Sequence, residues 1–291
     1  MSVTARLRDG TPVESYDNQA GIIRFLYTTA LGRVLLRPLI CPGFSRFMGH
    51  VLSSRISRVL VGPFIRKNHI SMDDYPPRRY RSFNDFFTRT ILPERRPVAM
   101  TQDHLIAPCD SKLSVTRLET DTRFFIKGVE YTAGDLLRSE DLAQKFAGGW
   151  LLLFRLTVDD YHHYLYPLSG TESTRVVIPG VFHTVNPLAA GIRPIYRENT
   201  REYTCTETEF GTLLQMEVGA LLVGRISNHM GAGPVQRGTE KGMFEFGGST
   251  VVLMLEPGRL QPDEDILRNS SAGEETIVKM GERIGTLIRT P

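Results

Sequence analysis

Apolar positions follow two different rhythms along this chain. Between Asn18 and Met72 they recur at spacings of three and four, as in Ile22, Ile23, Leu26 and Leu31, Val34, Leu35, and again beyond Pro38 and Pro42 in Phe44, Phe47, Met48 and Val51. That period predicts two or three amphipathic helices punctuated by the prolines. Residues 73–77, Asp-Asp-Tyr-Pro-Pro, read as a linker, and residues 82–89, with two adjacent phenylalanines, as a short docking helix. After that the chain turns β-rich. Residues 105–115 predict strand, turn and strand with Asp110 at the turn, and residues 123–147 one more strand and a short helix. Residues 150–156, Trp-Leu-Leu-Leu-Phe-Arg-Leu, have a buried-strand pattern that runs straight into His162 and His163. A further strand is expected over 181–187 around His183, and one long or two short strands over 213–226 with a break at Gly219. A turn and strand over 281–285 would close a barrel or sandwich. Residues 244–255 read as a strand interrupted at Gly247-Gly248.

Composition narrows the class. With 291 residues, 41% hydrophobic and 23% charged, the chain can bury the core of one large β-rich domain plus an appendage. The net charge is only +3, so its distribution carries more information than its total. The 18–72 window holds eight Arg or Lys residues and no Asp or Glu. Apolar stripes beside purely basic faces suit an anionic membrane surface, where each cation contributes about 1 kcal/mol. The plainer alternative is a helical cap with a basic outer face. No apolar run reaches the ~18 residues of a spanning helix, and no nucleic-acid motif accompanies the basic residues. Three widely spaced cysteines, Cys41, Cys109 and Cys205, argue against a disulfide framework or a zinc site and point to a reducing compartment. The first ten residues lack the apolar core of a secretory signal.

The candidate chemistry centres on Gly248-Ser249. Glycines inside a strand ordinarily mark a bulge. The sharper reading is that Ser249 Oγ attacks the Gly248 carbonyl, glycine being there to tolerate a strained peptide. An N→O acyl shift, β-elimination and loss of ammonia would then leave a pyruvoyl group, a ketone able to form a Schiff base and withdraw electrons from a bound amine. Such chemistry needs a base, and the histidines at 162, 163 and 183 are candidates. Asp110 in its turn would ordinarily cap its own backbone, and Lys112 and Arg155 could meet a carboxylate or phosphate or be solvated surface charges.

Taken in order, several motifs resemble the phosphatidylserine decarboxylase family over roughly residues 80–288. They are Phe86-Phe87-Thr88-Arg89 followed by Arg96-Pro97, Pro108-Cys109-Asp110, Asp160-Tyr161-His162, Val185-Asn186-Pro187, Glu217-Val218-Gly219-Ala220 with Val223-Gly224, and Gly248-Ser249-Thr250. The resemblance implies a mainly β, α+β fold with a lipoyl-like hybrid-barrel core. It divides the chain into a basic membrane-associating helical region, 1–75, and a catalytic domain, 76–291. It further implies self-cleavage into a β chain, 1–248, and an associated α chain, 249–291, that carries a covalent pyruvoyl group in place of Ser249. The substrate would be phosphatidylserine, with no metal and no nucleic acid, at the cytoplasmic face of the cell membrane as a peripheral protein, and family members often dimerise. A soluble amino acid as substrate, or a non-cleaving membrane-binding relative, are the alternatives. The family's second histidine after Asp-Tyr-His is Leu165 here, His163 stands where arginine is usual, Ser111 where glycine is usual, and Gly247 where many members carry a larger apolar residue. The base for cleavage is therefore either His162 or His183, with Asp110 expected to fix and stabilise the imidazolium.

Overall fold

The computed structural model describes residues 4–14, 20–221, 225–229, 231–247 and 249–289. Two short strands, β1 (Thr4–Arg6) and β2 (Pro12–Glu14), precede a helical leader. It comprises α1 (Ala20–Thr28), α2 (Ala30–Leu39), α3 (Pro42–Ser53), a 3-10 turn at Arg55–Leu60 and α4 (Val61–Lys67). Thr29 opens α2 by accepting a hydrogen bond from the Gly32 amide, and Pro42 sits in the first turn of α3, where a missing N–H costs nothing. Pro38 does not end α2 but rides in its last turn. Ile23 and Tyr27 of α1 pack on Ala189, while Leu52, Val61 and Ile70 close over Phe83, Phe86 and Phe87 of α5 (Phe83–Phe87). Each fully buried phenylalanine contributes about 1.5–3 kcal/mol, so this contact fastens the leader to the body.

β3 (His104–Ile106) and β4 (Ser111–Arg117) flank the turn that carries Asp110. Residues 123–147 hold more than the expected strand and helix. β5 (Arg123–Ile126) and β6 (Val129–Thr132) form a hairpin, followed by α6 (Ala133–Leu137) and α7 (Glu140–Lys145). The hairpin closes on Lys127 and Gly128, both at positive φ, the conformation a two-residue hairpin loop requires. The chain continues through β7 (Trp150–Leu156), β8 (His163–Leu165), β9 (Gly170–Glu172), β10 (Val176–Ile178), α8 (Pro187–Ala190), α9 (Ile195–Glu198), β11 (Arg201–Thr208) and β12 (Gly211–Val218). It ends with β13 (Arg225–Asn228), β14 (Gly233–Val235), β15 (Glu240–Glu245), β16 (Ser249–Leu255), β17 (Leu260–Pro262), α10 (Glu264–Ser271), β18 (Glu275–Val278) and β19 (Arg283–Leu287).

The result is a mainly β, α+β fold. Among the described residues, an eleven-stranded sheet runs β14-β9-β11-β12-β16-β7-β4-β18-β1-β2, with β10 added against β11. Two three-stranded sheets, β13-β15-β8 and β17-β19-β3, accompany it. β16 is central, antiparallel to β12 on one side and β7 on the other, and every one of its residues is buried. That explains why β7 and β16 read as nearly continuous apolar runs, since both faces of each strand are covered.

Three expectations are corrected. The 244–255 stretch is not one bulged strand, because β15 ends at Glu245, β16 starts at Ser249, and the two belong to different sheets. The apolar strand over 150–156 does not deliver the histidines directly: β7 stops at Leu156, and residues 157–161 intervene before His162 and the separate strand β8. His183 is not on a strand. Only an isolated bridge, Val181 to Asn199, forms there, because the Asn199 side chain takes the place of a neighbouring strand by donating to the His183 carbonyl and accepting from its amide, both at 2.8 Å.

Candidate active site

The crossing from β15 to β16 is strained. Phe246 has φ +43° and Gly247 φ +115°. The left-handed region costs a residue with a side chain about 1–2 kcal/mol, so Phe246 must be held there. Its ring packs edge-on against Phe83 and Phe87, with centroids 5.0 and 5.3 Å away. Gly248, the carbonyl half of the expected cleavage bond, lies outside the described residues. Ser249 follows as the first residue of β16, directly opposite Leu156 of β7. It is 0% exposed, and its hydroxyl has no hydrogen-bond partner among the described residues. Leaving a buried hydroxyl unpaired costs about 1–3 kcal/mol, and this one lies two positions after a positive-φ glycine.

His162 reaches the same place from the other strand pair. The Phe244 amide donates to the His162 carbonyl at 2.9 Å, while Leu156, six residues earlier, pairs with Ser249. Both ends of segment 156–162 therefore lie beside β15 and β16. The Phe87 ring centroid is 4.2 Å from that of His162 and 5.3 Å from that of Phe246. The His162 Nδ1 lies 2.9 Å from the Asp160 carbonyl, which can only accept, so Nδ1 carries the proton and Nε2 the lone pair. That Nε2 is buried and has no partner among the described residues. Complete burial, and then the positive charge of Arg89, push the His162 pKa down to about 3, which keeps the ring neutral. The loop that presents it is fixed in turn. The Asp160 carboxylate accepts from Lys112 Nζ and from the Thr157 amide, both at 2.7 Å.

Asp110 is buried nearby, but it makes no hydrogen bond to His162. Arg96 grips its carboxylate in a fork, with Nε 2.8 Å from Oδ1 and Nη2 2.6 Å from Oδ2, and the Met280 amide donates to Oδ1 at 2.8 Å. Burial alone would raise the Asp110 pKa, but Arg96, Lys279 and the Met280 amide outweigh it and hold the carboxyl below the usual range. The expectation that Asp110 fixes the imidazolium is thus not met in this geometry, since its lone pairs are committed to Arg96. The Pro108 carbonyl, two residues before it, accepts from the Leu165 amide at 2.9 Å and ties the Asp110 turn to β8.

His183 is equally buried but occupied at both nitrogens. Nδ1 is 3.1 Å from the Tyr27 hydroxyl of α1, and Nε2 is 3.0 Å from Glu198 Oε2. The structure therefore brings Ser249 and His162 to one crossing and gives His183 other partners. Lys112 and Arg155 are not solvated surface charges either. Lys112 is paired with Asp160, and Arg155 Nε with Glu275 Oε1 at 2.9 Å. Arg155 pairs with Thr250 in register, so it lies on the sheet face opposite to Ser249. There it lines a cavity of about 280 Å³ with Leu151, Leu153, Tyr196 and Glu275, behind the serine. Residue-by-residue reading did not find Phe87, Arg89 or Arg96, which stood out only as members of motifs.

A family model described as phosphatidylserine decarboxylase matches residues 83–286. The chain is 44% identical over 290 residues to the phosphatidylserine decarboxylase proenzyme 2 of Clostridium acetobutylicum, covering 98% of this chain and 99% of that one. It is 36% identical over 271 residues to the phosphatidylserine decarboxylase proenzyme of Chlamydia muridarum, covering 90% of each. Against the proenzyme of Clostridium perfringens the identity is 35% over 270 residues, covering 90% of this chain and 92% of the relative.

Proposed function

The chain belongs to the phosphatidylserine decarboxylase family, and on that premise we propose that it cleaves itself at Gly248-Ser249 and then converts phosphatidylserine to phosphatidylethanolamine and carbon dioxide. The observation that carries this reading is the buried Ser249 hydroxyl, unpartnered among the described residues, two positions after the positive-φ Gly247. In maturation, His162 Nε2 takes the Ser249 proton and Oγ attacks the Gly248 carbonyl. The C–N bond breaks as the ester forms, and the freed amine takes up a proton. Removal of the Ser249 Cα proton then expels the Gly248 carboxylate and leaves dehydroalanine, and one water replaces the nitrogen, which departs as ammonia. The fit of this chain to a pyruvoyl group rests on that hydroxyl and on the free imidazole nitrogen beside the crossing. Such a group supplies an electrophilic ketone that accepts an amine and draws off the electrons released with carbon dioxide. In turnover the open Nε2 of His162 would take a proton from the substrate ammonium and return it to Cα once carbon dioxide has left.

Asp110, clamped by Arg96, contributes a fixed negative charge to the neighbourhood rather than a hydrogen bond to the ring. We assign His183 to bracing α1 instead of deprotonating Ser249.

Intact mass tests the reading. The 43-residue chain from 249 to 291 should be lighter than its serine form by one ammonia. Phosphatidylserine in liposomes should lose carbon dioxide while free serine does not. A wild-type preparation that remains a single 32.8 kDa band would refute it.

The leader is inferred to rest on an anionic membrane, at the cytoplasmic face. Of the seventeen exposed large hydrophobic residues among the described residues, ten fall between Ile22 and Leu60, including Ile56 at 82% and Val59 at 73% exposure. They share that surface with the leader's unopposed Arg and Lys residues. No helix among the described residues is long and apolar enough to cross a membrane, so attachment would be by this face. Sedimentation should follow anionic vesicles in preference to zwitterionic ones and weaken in Ile56→Ser/Val59→Ser; binding unaffected by both changes would remove the inference. The resemblance also supports a lipoyl-like hybrid-barrel core, the division near residue 75, and pairing of two copies, which a solution mass at twice the monomer value would test.

A further inference from the structure

Arg89, the last residue of the Phe-Phe-Thr-Arg motif, is 1% exposed, yet its Nε and Nη2 have no hydrogen-bond partner and it makes no ion pair among the described residues. Its side-chain contacts are weak: Nη1 is 3.4 Å from the Phe86 carbonyl, and the guanidinium lies close to the Tyr75 hydroxyl. The guanidinium is wedged between two rings, 4.3 Å from the centroid of Tyr75 and 4.6 Å from that of Phe86. Cation–π contacts offset only part of the cost of burying a charge without a counter-ion. The place where it waits is specific. The Phe87 ring lies tilted against His162, and the Thr88 carbonyl is 3.3 Å from His163 Nε2, so the residues leading into Arg89 lie along the two histidines.

We propose that Arg89 is a substrate-binding residue whose free guanidinium edge receives the phosphodiester of the phospholipid headgroup. This rests on the decarboxylase reading above. The substrate brings two anions to the site. Its carboxylate must leave as carbon dioxide, and a fork of hydrogen bonds to it would stabilise the ground state and oppose C–C cleavage. The phosphodiester keeps its charge from start to finish and is separated from the reacting Cα only by Cβ and one oxygen. Holding it anchors the lipid without resisting the reaction. A planar guanidinium with two open donors suits a phosphate's paired oxygens better than a point charge would.

The test compares phosphatidylserine with its neutral methyl phosphotriester in uncharged detergent micelles, so that the leader's attraction to anionic lipid does not contribute. Processed wild-type enzyme should prefer the diester by about ten- to a hundredfold in kcat/KM, mainly through KM, the range expected for a charge-assisted hydrogen-bond pair. Arg89→Gln should still split into two chains but lose that preference. Equal kcat/KM on both lipids in the wild type, or an undiminished preference in processed Arg89→Gln, overturns the assignment. If Arg89→Gln does not split, Arg89→Lys takes its place and should show a narrowed preference. An unchanged preference there, or loss of splitting in both variants, gives Arg89 a role in maturation and removes the phosphate site. Wild-type turnover of phosphatidylserine without any preference would sink this proposal while leaving the decarboxylase reading standing; no turnover of either lipid would sink the latter.

Discussion

His162 and His183 are both almost completely buried, yet the regions around them use imidazole in opposite ways. At His183 both nitrogens are spent, one on Tyr27 of the leader and one on Glu198, and the ring works as a brace between α1 and the body. At His162 one nitrogen is tied to the Asp160 carbonyl and the other is left open, in a pocket walled by Phe87 and biased by Arg89 toward the neutral form. Burial alone does not make a base. What separates the two is an uncommitted lone pair, which folding leaves open at considerable cost.

The largest test of that contrast is His162→Ala, which should slow splitting by about a hundred- to ten-thousandfold, the usual contribution of a positioned proton acceptor. His183→Ala should split at close to the wild-type rate. Time courses on denaturing gels measure both, and equal slowing would erase the distinction.

Acidity offers the next test. With a folded pKa of about 3, against about 6.5 in an unfolded chain, His162 binds fewer protons folded than unfolded between those values. Its contribution to stability is therefore complete above about pH 6.5 and is lost as the pH falls toward 3. Splitting per folded molecule should stay level between about pH 8 and pH 5. A tenfold loss per unit below 6.5 would instead point to an ordinary solvated histidine as the base.

Smaller effects are expected at the brace. His183→Ala removes one partner each from Glu198 and Tyr27 and should lower the unfolding free energy by about 1–3 kcal/mol in denaturant titrations. Tyr27→Phe removes only the hydroxyl, which also accepts from the Thr184 amide, and should cost about 0.5–1.5 kcal/mol with splitting unchanged. A stability loss at Tyr27 with no matching one at His183 would mean that the imidazole is not the brace.

The sequence revealed the elements whose reasons are local. The leader helices follow from three-four spacing, β7 and β16 from apolar runs, and α5 from its two adjacent phenylalanines. The Gly-Ser pair stood out as an interruption, but its meaning did not, because a bulge and a crossing between sheets look alike until strand partners are known. The pair Ser249 and His162 was nameable from motif order, whereas the choice between His162 and His183 was not. That choice depends on Tyr27, about 150 residues away in sequence, reaching His183 and not His162. Asp110 misled for a similar reason: its partner Arg96 lies only fourteen residues earlier, but nothing in the spacing says that two loops will pair.

The position of β16 between β12 and β7 has one more consequence. A cut before Ser249 places a new chain end in the middle of a sheet whose hydrogen-bonding neighbours on both sides remain in the longer piece. Nothing is released by such a cut, but the history of the molecule becomes one-way. Before it, folding is unimolecular and reversible in principle; after it, an unfolded molecule is two strangers that must find each other by diffusion, the shorter one beginning with the apolar run of β16. The mature protein should thus be protected by the height of its unfolding barrier rather than by the depth of its equilibrium, and its recovery after denaturation should depend on concentration as the precursor's does not.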